Sequence, residues 1–265
     1  MIYNLQIFGA YFAQFLKTRM SYRTDFFVSL VANILVGATG LLFVVFLMDG
    51  KNITELNGWS RAEVLFIYGY AMISMAIFSS VAINLYGFGN RYIIQGQFDR
   101  VLLRPLNSLA QVLFESFNLD SIGSLLVGLA TMLYAARILG ISIGMLDVGW
   151  LFVSSISGAV ILISVFVVLS SVSFHFEDRI GIAPPFYNLI SFGRYPITIF
   201  NRVIQFILSW VIPFAFVAFY PATHFFNRTG FELLCYLTPL VALVSVVVAW
   251  VFWQFGVSKY ESTGN

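Results

Sequence analysis

Long apolar runs separated by short polar clusters set the pattern of this chain. The runs cover Phe26 to Met48, about Ala62 to Leu85, Ile122 to about Leu139, Val148 to about Val172, and Leu233 to Val257. None alternates at every second residue, so each predicts a helix and not a barrel strand. Each is close to or above the roughly 20 apolar residues that a bilayer-spanning helix needs. Residues 1–20 differ. Leu5, Phe8, Phe12, Phe15 and Leu16 recur at helical spacing, while Asn4, Gln14, Lys17 and Arg19 fall mostly elsewhere on the wheel. That pattern predicts an amphipathic helix lying along a membrane surface.

The stretch from Ile180 to Asn227 admits two readings. It holds Pro184, Pro185, Pro196, Pro213 and Pro221. Hydropathy alone puts a fifth span at Val203 to Phe219. The alternative puts it at Ile180 to Ile197, with Asn201 to Ala222 dipping into the membrane and returning as a broken hairpin. Such backbone is allowed at membrane depth only where protein or a water-filled cavity covers it. Upstream, the second-span helix can continue past Tyr92 into water. Asn107-Ser108 reads as the cap of a helix that begins amphipathic, with Leu109, Val112, Leu113 and Phe117 against Gln111, Glu115 and Asn118. The same helix becomes fully apolar from Ile122.

Composition supports a lipid solvent. Of 265 residues, 60% are hydrophobic and 10% charged, where a soluble domain carries roughly 25% charged residues. Mean hydropathy is +0.89. A net charge of +2 gives no sign of a nucleic-acid partner. The single Cys235 excludes a disulfide framework within the chain and a cysteine metal cluster, and reads as a buried bystander thiol. The first apolar run is too long for a signal-peptide core and has no A-x-A-like exit, so it is expected to stay attached as a span. Six spans place both termini on one side. With that side cytoplasmic, Lys17, Arg19, Arg23, Arg91, Arg100, Arg104, Arg179 and Lys259 lie inside, against Lys51, Arg61, Arg137 and Arg228 outside. Arg194 and Arg202 follow the fifth span. The excess inside sets the expected orientation.

Chemistry of the chain's own is hard to find. No G-x-x-x-x-G-K-[ST] run occurs, and the three lysines, Lys17, Lys51 and Lys259, sit elsewhere, so no P-loop is expected. Five of the six spans carry no Asp, Glu, Lys or Arg in their interiors, which argues against an ion- or proton-coupled carrier or channel, the competing reading. His175, Glu177 and Asp178 read as a hydrated helix end, with His224 on the opposite side. No catalytic residue, metal site or cofactor site is expected. Ser154, Ser155, Ser157, Ser164, Ser170, Ser171 and Ser173, with Gly158 and Ala159, suit close helix packing.

One charged patch stands between apolar runs: Gln97, Phe98, Asp99, Arg100, Val101, Leu102, Leu103, Arg104 and Pro105. Arg100 and Arg104 share a helix face. Asp99 suits a helix N-terminus, and Val101, Leu102 and Leu103 form an apolar ridge. Gly96 and Pro105 bracket the rod. That shape suits docking in a groove of another protein. The same residues also describe an interfacial loop whose arginines meet lipid phosphates.

The run Gly96 to Asn107 resembles the loop between the second and third spans of ABC-2-type permeases, above all the small six-span branch. Phe192-Gly193-Arg194-Tyr195-Pro196-Ile197-Thr198-Ile199-Phe200, then Ile212 to Val217 and Tyr220-Pro221-Ala222, form a second match. Lys17 to Arg23 form a third. The second Tyr-Pro, at Tyr220-Pro221, departs from the family pattern. The resemblance implies an all-α, type V exporter-like polytopic membrane domain over 1–265. In it, 1–22 is an interfacial elbow helix, 95–107 a cytoplasmic coupling helix region, and 200–226 a re-entrant hairpin whose join carries Tyr195, Pro196, Pro213, Tyr220 and Pro221. It also implies two permeases, alike or different, and separate ATPase subunits that bind ATP and Mg, in a cytoplasmic membrane.

Overall fold

Helices follow the apolar runs, but several break where local bonding or proline interrupts them. The computed structural model describes residues 23–49, 55–176, 183–226 and 228–262. The amphipathic helix expected at 1–20, and Glu177, Asp178 and Arg179, lie outside these residues. In chain order come α1 (Arg23–Asp49), a hairpin of β1 (Glu55–Leu56) and β2 (Trp59–Ser60), α2 (Arg61–Val81) and α3 (Ile83–Tyr86). A π-helical turn (Gly89–Ile94), α4 (Gln97–Leu102), α5 (Ser108–Phe114), α6 (Ser121–Leu139) and α7 (Met145–Val172) follow. Short pieces then fill the next stretch: α8 (Ala183–Leu189), 3-10 turns at Ile190–Arg194 and Ile197–Ile199, α9 (Arg202–Phe206), a π-helical turn at Ile207–Val211, a 3-10 turn at Phe214–Val217, α10 (Phe219–Ala222) and a 3-10 turn at Thr223–Phe225. The chain closes with α11 (Glu232–Tyr236) and α12 (Thr238–Ser258).

Five of the described helices, α1, α2, α6, α7 and α12, are long and apolar enough to cross a membrane. The hairpin between α1 and α2 turns on Asn57 and Gly58, both at positive φ, as a two-residue Asn-Gly turn requires. Ser60 and Glu63 then cap α2 reciprocally, Glu63 Oε2 accepting from Ser60 N at 2.8 Å.

α2 is the buried axis. It packs most extensively on α6, and also on α7. A Cβ at Gly69 would lie 2.7 Å from both Gly128 O and Met132 N, so α2 and α6 touch backbone to backbone. Without a hydrophobic force between helices in lipid, such close approach is what holds them. α12 runs along α7, and α1 leans on α6. The six α7 serines expected at packing positions, and Ser173 just past its end, are all buried. Ser157, Ser164 and Ser171 donate to the carbonyls four residues back at 2.7 to 2.8 Å, so their hydroxyls cost little at the contact.

Four expectations about helix continuity need correction. α2 stops at Val81 and does not run on past Tyr92 as one helix; Ala82 caps it, and a short α3 and the π-helical turn take over. The helix capped by Asn107 does not continue into Ile122. It ends at Phe114, because Asn118 turns its backbone N–H to Ser80 O and its side chain to Asp120 N. The last span starts at Thr238 and not at Leu233, since Pro239 follows a turn at Leu237 and brings no N–H to a preceding helix. No single helix covers Val203 to Phe219: the chain breaks at Ile212 and Pro213, and Phe219 belongs to another piece.

The path of residues 183–226 is defined by contacts. Tyr187 lies beside Phe78 and Tyr86, near the end of α2. Thr198 meets the β hairpin at the opposite end, accepting from Asn57 Nδ2 and, through Oγ1, from Trp59 Nε1 at 2.7 Å. From there α9 and its π-helical turn lead to Ile212 and Pro213, which share a cavity with Val165, Val168 and Phe186. The chain then returns, Phe219 packing on Trp59 at 5.4 Å.

Candidate functional site

Gly96, at φ +66°, starts α4 in a conformation that side-chain-bearing residues avoid. The helix ends at Leu102, with Leu103 still in the right-handed region, and Pro105 disfavours any further turn by restricting Arg104 before it. Three residues apart, Phe98 and Val101 share a face, and both are buried. Phe98 is fully enclosed by Phe88, Phe174, Trp253 and Tyr260, with ring centroids 5.0 to 6.1 Å away. These rings come from the α3 region, the end of α7, the end of α12 and the chain beyond it. α4 is therefore bolted to the ends of several spans at once.

The expected ridge of Val101, Leu102 and Leu103 is split. Val101 points inward at 6% exposure, while Leu102 and Leu103 stand out at 47% and 85%. Arg100, Arg104 and Pro105 are exposed beside them. Asp99 does more than face a helix N-terminus: it accepts from Tyr260 Oη at 3.0 Å and Ser262 Oγ at 2.7 Å. Burial first, then this bond to Asp99, pushes the Tyr260 phenol up to about 12. Gln97 turns to Arg91, accepting from its Nε at 3.0 Å.

Arg91 is a hub that the sequence presents only as one more positive charge. It donates to Gln97, to Asn84 Oδ1 at 3.2 Å and to Glu115 Oε1 at 3.2 Å. Tyr92 donates to the other oxygen of Glu115. Burial, then that bond, holds the Tyr92 phenol well above its usual range. Gln111 donates to Val101 O and Leu106 O, both at 3.0 Å, and so fastens the end of α4 to α5. Trp253 Nε1 donates to Ser108 Oγ at 3.0 Å, tying α12 to the start of α5. Asn107 caps α5 through Ala110 N at 3.0 Å. The signal for Arg91 and Glu115 was their opposite charge on either side of the patch; nothing in the sequence paired them.

The second group of expected residues gathers elsewhere. Pro213 stands at the break between the two arms, and Tyr220 Oη reaches across them to Ser209 Oγ at 2.9 Å. Pro221 O accepts from Trp150 Nε1 at 3.1 Å. Pro196 is buried and Tyr195 half-buried. None of these meets α4. His175 stacks on Phe255 and is exposed, and His224 lies far from it, bonded to Asp147 at 2.9 Å. Among the described residues no three His, Cys, Asp or Glu side chains gather to hold a metal ion.

These features define a multi-pass helical membrane protein with one short surface helix anchored to the ends of its spans. A family model described as ABC-2 family transporter protein matches residues 34–264, and the chain belongs to that family. It is a transmembrane permease, the membrane part of an ABC transporter. No curated protein and no solved structure matches it.

Proposed function

We propose that this chain is the permease of an ATP-driven exporter in the cytoplasmic membrane, with α4 as the coupling helix seated on a separate ATPase subunit. ATP and Mg belong to that subunit. The observation that carries the reading is the two-faced α4. One face is locked to the ends of α7 and α12 and to Phe88 after α3 through Phe98, with Val101 buried beside it. The other presents Leu102, Leu103, Arg100, Arg104 and Pro105 outward. A push on the outer face is passed to the spans because the inner face cannot slide.

In this reading the fifth of six spans lies at about 180–197, broken into short pieces from Ala183 on, and residues 200–226 form a re-entrant hairpin covered by α2 and α7. Both termini are cytoplasmic, and a second permease, alike or different, completes the pathway. The geometry of Thr198 and Pro213 supports the hairpin. Orientation is tested by cysteine labelling in intact cells. Glu55→Cys is expected to react from outside and Leu103→Cys only after permeabilisation, with native Cys235 silent because it is buried at 1% exposure. The reverse pattern rejects the topology. Copurification of a P-loop ATPase with the tagged permease tests the coupling itself, and steady transport without such a subunit returns the assignment to a carrier or channel.

A further inference from the structure

Among the described residues, the half-buried Arg194 sits within the bundle with no ion-pair partner. Arg194 donates through Nε to Met75 Sδ at 3.2 Å, and its guanidinium lies 5.7 Å from the centre of the Tyr68 ring. At 1.5 Å per residue, Tyr68 is about 10 Å from the start of α2 and Met75 about 9 Å from its end. The guanidinium therefore lies near half-depth. The ion pairs Arg91–Glu115, His224–Asp147 and Arg228–Glu63 among the described residues do not take in Arg194. A thioether, a ring face and the Tyr68 hydroxyl, which also bonds the guanidinium, leave several of its five N–H donors to be met. A charge held there without a mate is costly, and in membrane proteins such residues mark functional pathways.

Arg194 faces a cavity of about 340 Å³ between α1, α2, α6 and α8. Val36, Met72, Ala76 and Phe166 give it apolar walls, while Asn118 and Ser121 line it toward the α4 end. That size is at the lower bound of small-molecule sites, which pair apolar walls with a few polar anchors. We propose that this cavity binds an organic monoanion. Its carboxylate or phosphate pairs with Arg194, and its apolar body lies along α2. A guanidinium fits both acids in bidentate fashion. The binding goes beyond the coupling mechanism and needs no ATPase, so it stands or falls separately.

The test uses the full chain in phosphatidylcholine nanodiscs and equilibrium dialysis of radiolabelled dodecanoate, benzoate and dodecanamide, with empty nanodiscs subtracted. Saturable binding of dodecanoate alone identifies a lipid-like ligand. Binding of benzoate identifies a small organic acid. Either supports the site, provided that Arg194→Gln weakens it by about tenfold or more and Arg194→Lys restores part of the loss. Where Arg194→Gln does not fold, Ser79→Leu narrows the cavity with the guanidinium in place, and it must weaken binding likewise. No saturable binding of either acid, affinity unchanged by these substitutions, or equal binding of the neutral amide overturns the proposal.

Discussion

Replacing Arg100 and Leu103 together by Asp is expected to abolish stimulation of the partner ATPase while leaving the amount of folded permease in the membrane unchanged. Both side chains are exposed, Leu103 at 85%. Surface substitutions away from buried features usually stay within about 0.5 kcal/mol of the parent stability. Contact is a different matter. A few central residues carry most of the energy of an interface, about 2 kcal/mol or more each. Two introduced carboxylates also replace a cation and an apolar anchor. Phe98→Ala is the informative comparison. It empties the pocket between Trp253, Phe174 and Tyr260, and large-to-small changes of this kind cost about 3–5 kcal/mol. It should lower the thermal midpoint of the purified permease, which the double Asp variant should not. ATPase stimulation that survives in the double variant places the docking surface elsewhere.

The second large effect is expected at the α2–α6 crossing. Gly69→Ala puts a methyl group 2.7 Å from Gly128 O and from Met132 N. Both are backbone atoms of a helix and cannot rotate away. The helices must part, and overpacking of this sort costs about 1–3 kcal/mol. Gly149→Ala in α7 is the matched control, since nothing lies within 4 Å of the added carbon. There the substitution should be neutral or stabilise by about 0.5–1 kcal/mol, because alanine loses less backbone freedom in a helix. Thermal unfolding of the two variants in one detergent compares them. Equal midpoints would mean that the crossing is looser than these distances describe.

Particular residues show what could be read in advance. The spans α1, α2, α6, α7 and α12 lie within about five residues of their apolar runs, because exclusion of polar groups from lipid acts on each run separately. The Asn107 cap and the Gly96–Pro105 bracket around α4 were equally legible, being matters of local backbone geometry. The breaks were not. Asn118 ends a helix by bonding to Ser80, some forty residues upstream, and hydropathy carries no record of that bond. Val203 to Phe219 is as apolar as a span although its helix breaks at Ile212 and Pro213, so no window average separates it from one.

By itself the sequence determined that the chain is a helical membrane protein of the ABC-2 kind, which segments are apolar enough to span, and where a charged rod interrupts them. Only the tertiary structure decided which face of that rod is buried, that Arg91 pairs with Glu115, and that Arg194 ends at half-depth beside a cavity. The physical reason is range. Apolar length and turn chemistry are properties of neighbouring residues. The enclosure of Phe98 needs Trp253 and Tyr260, which come together only when the spans pack.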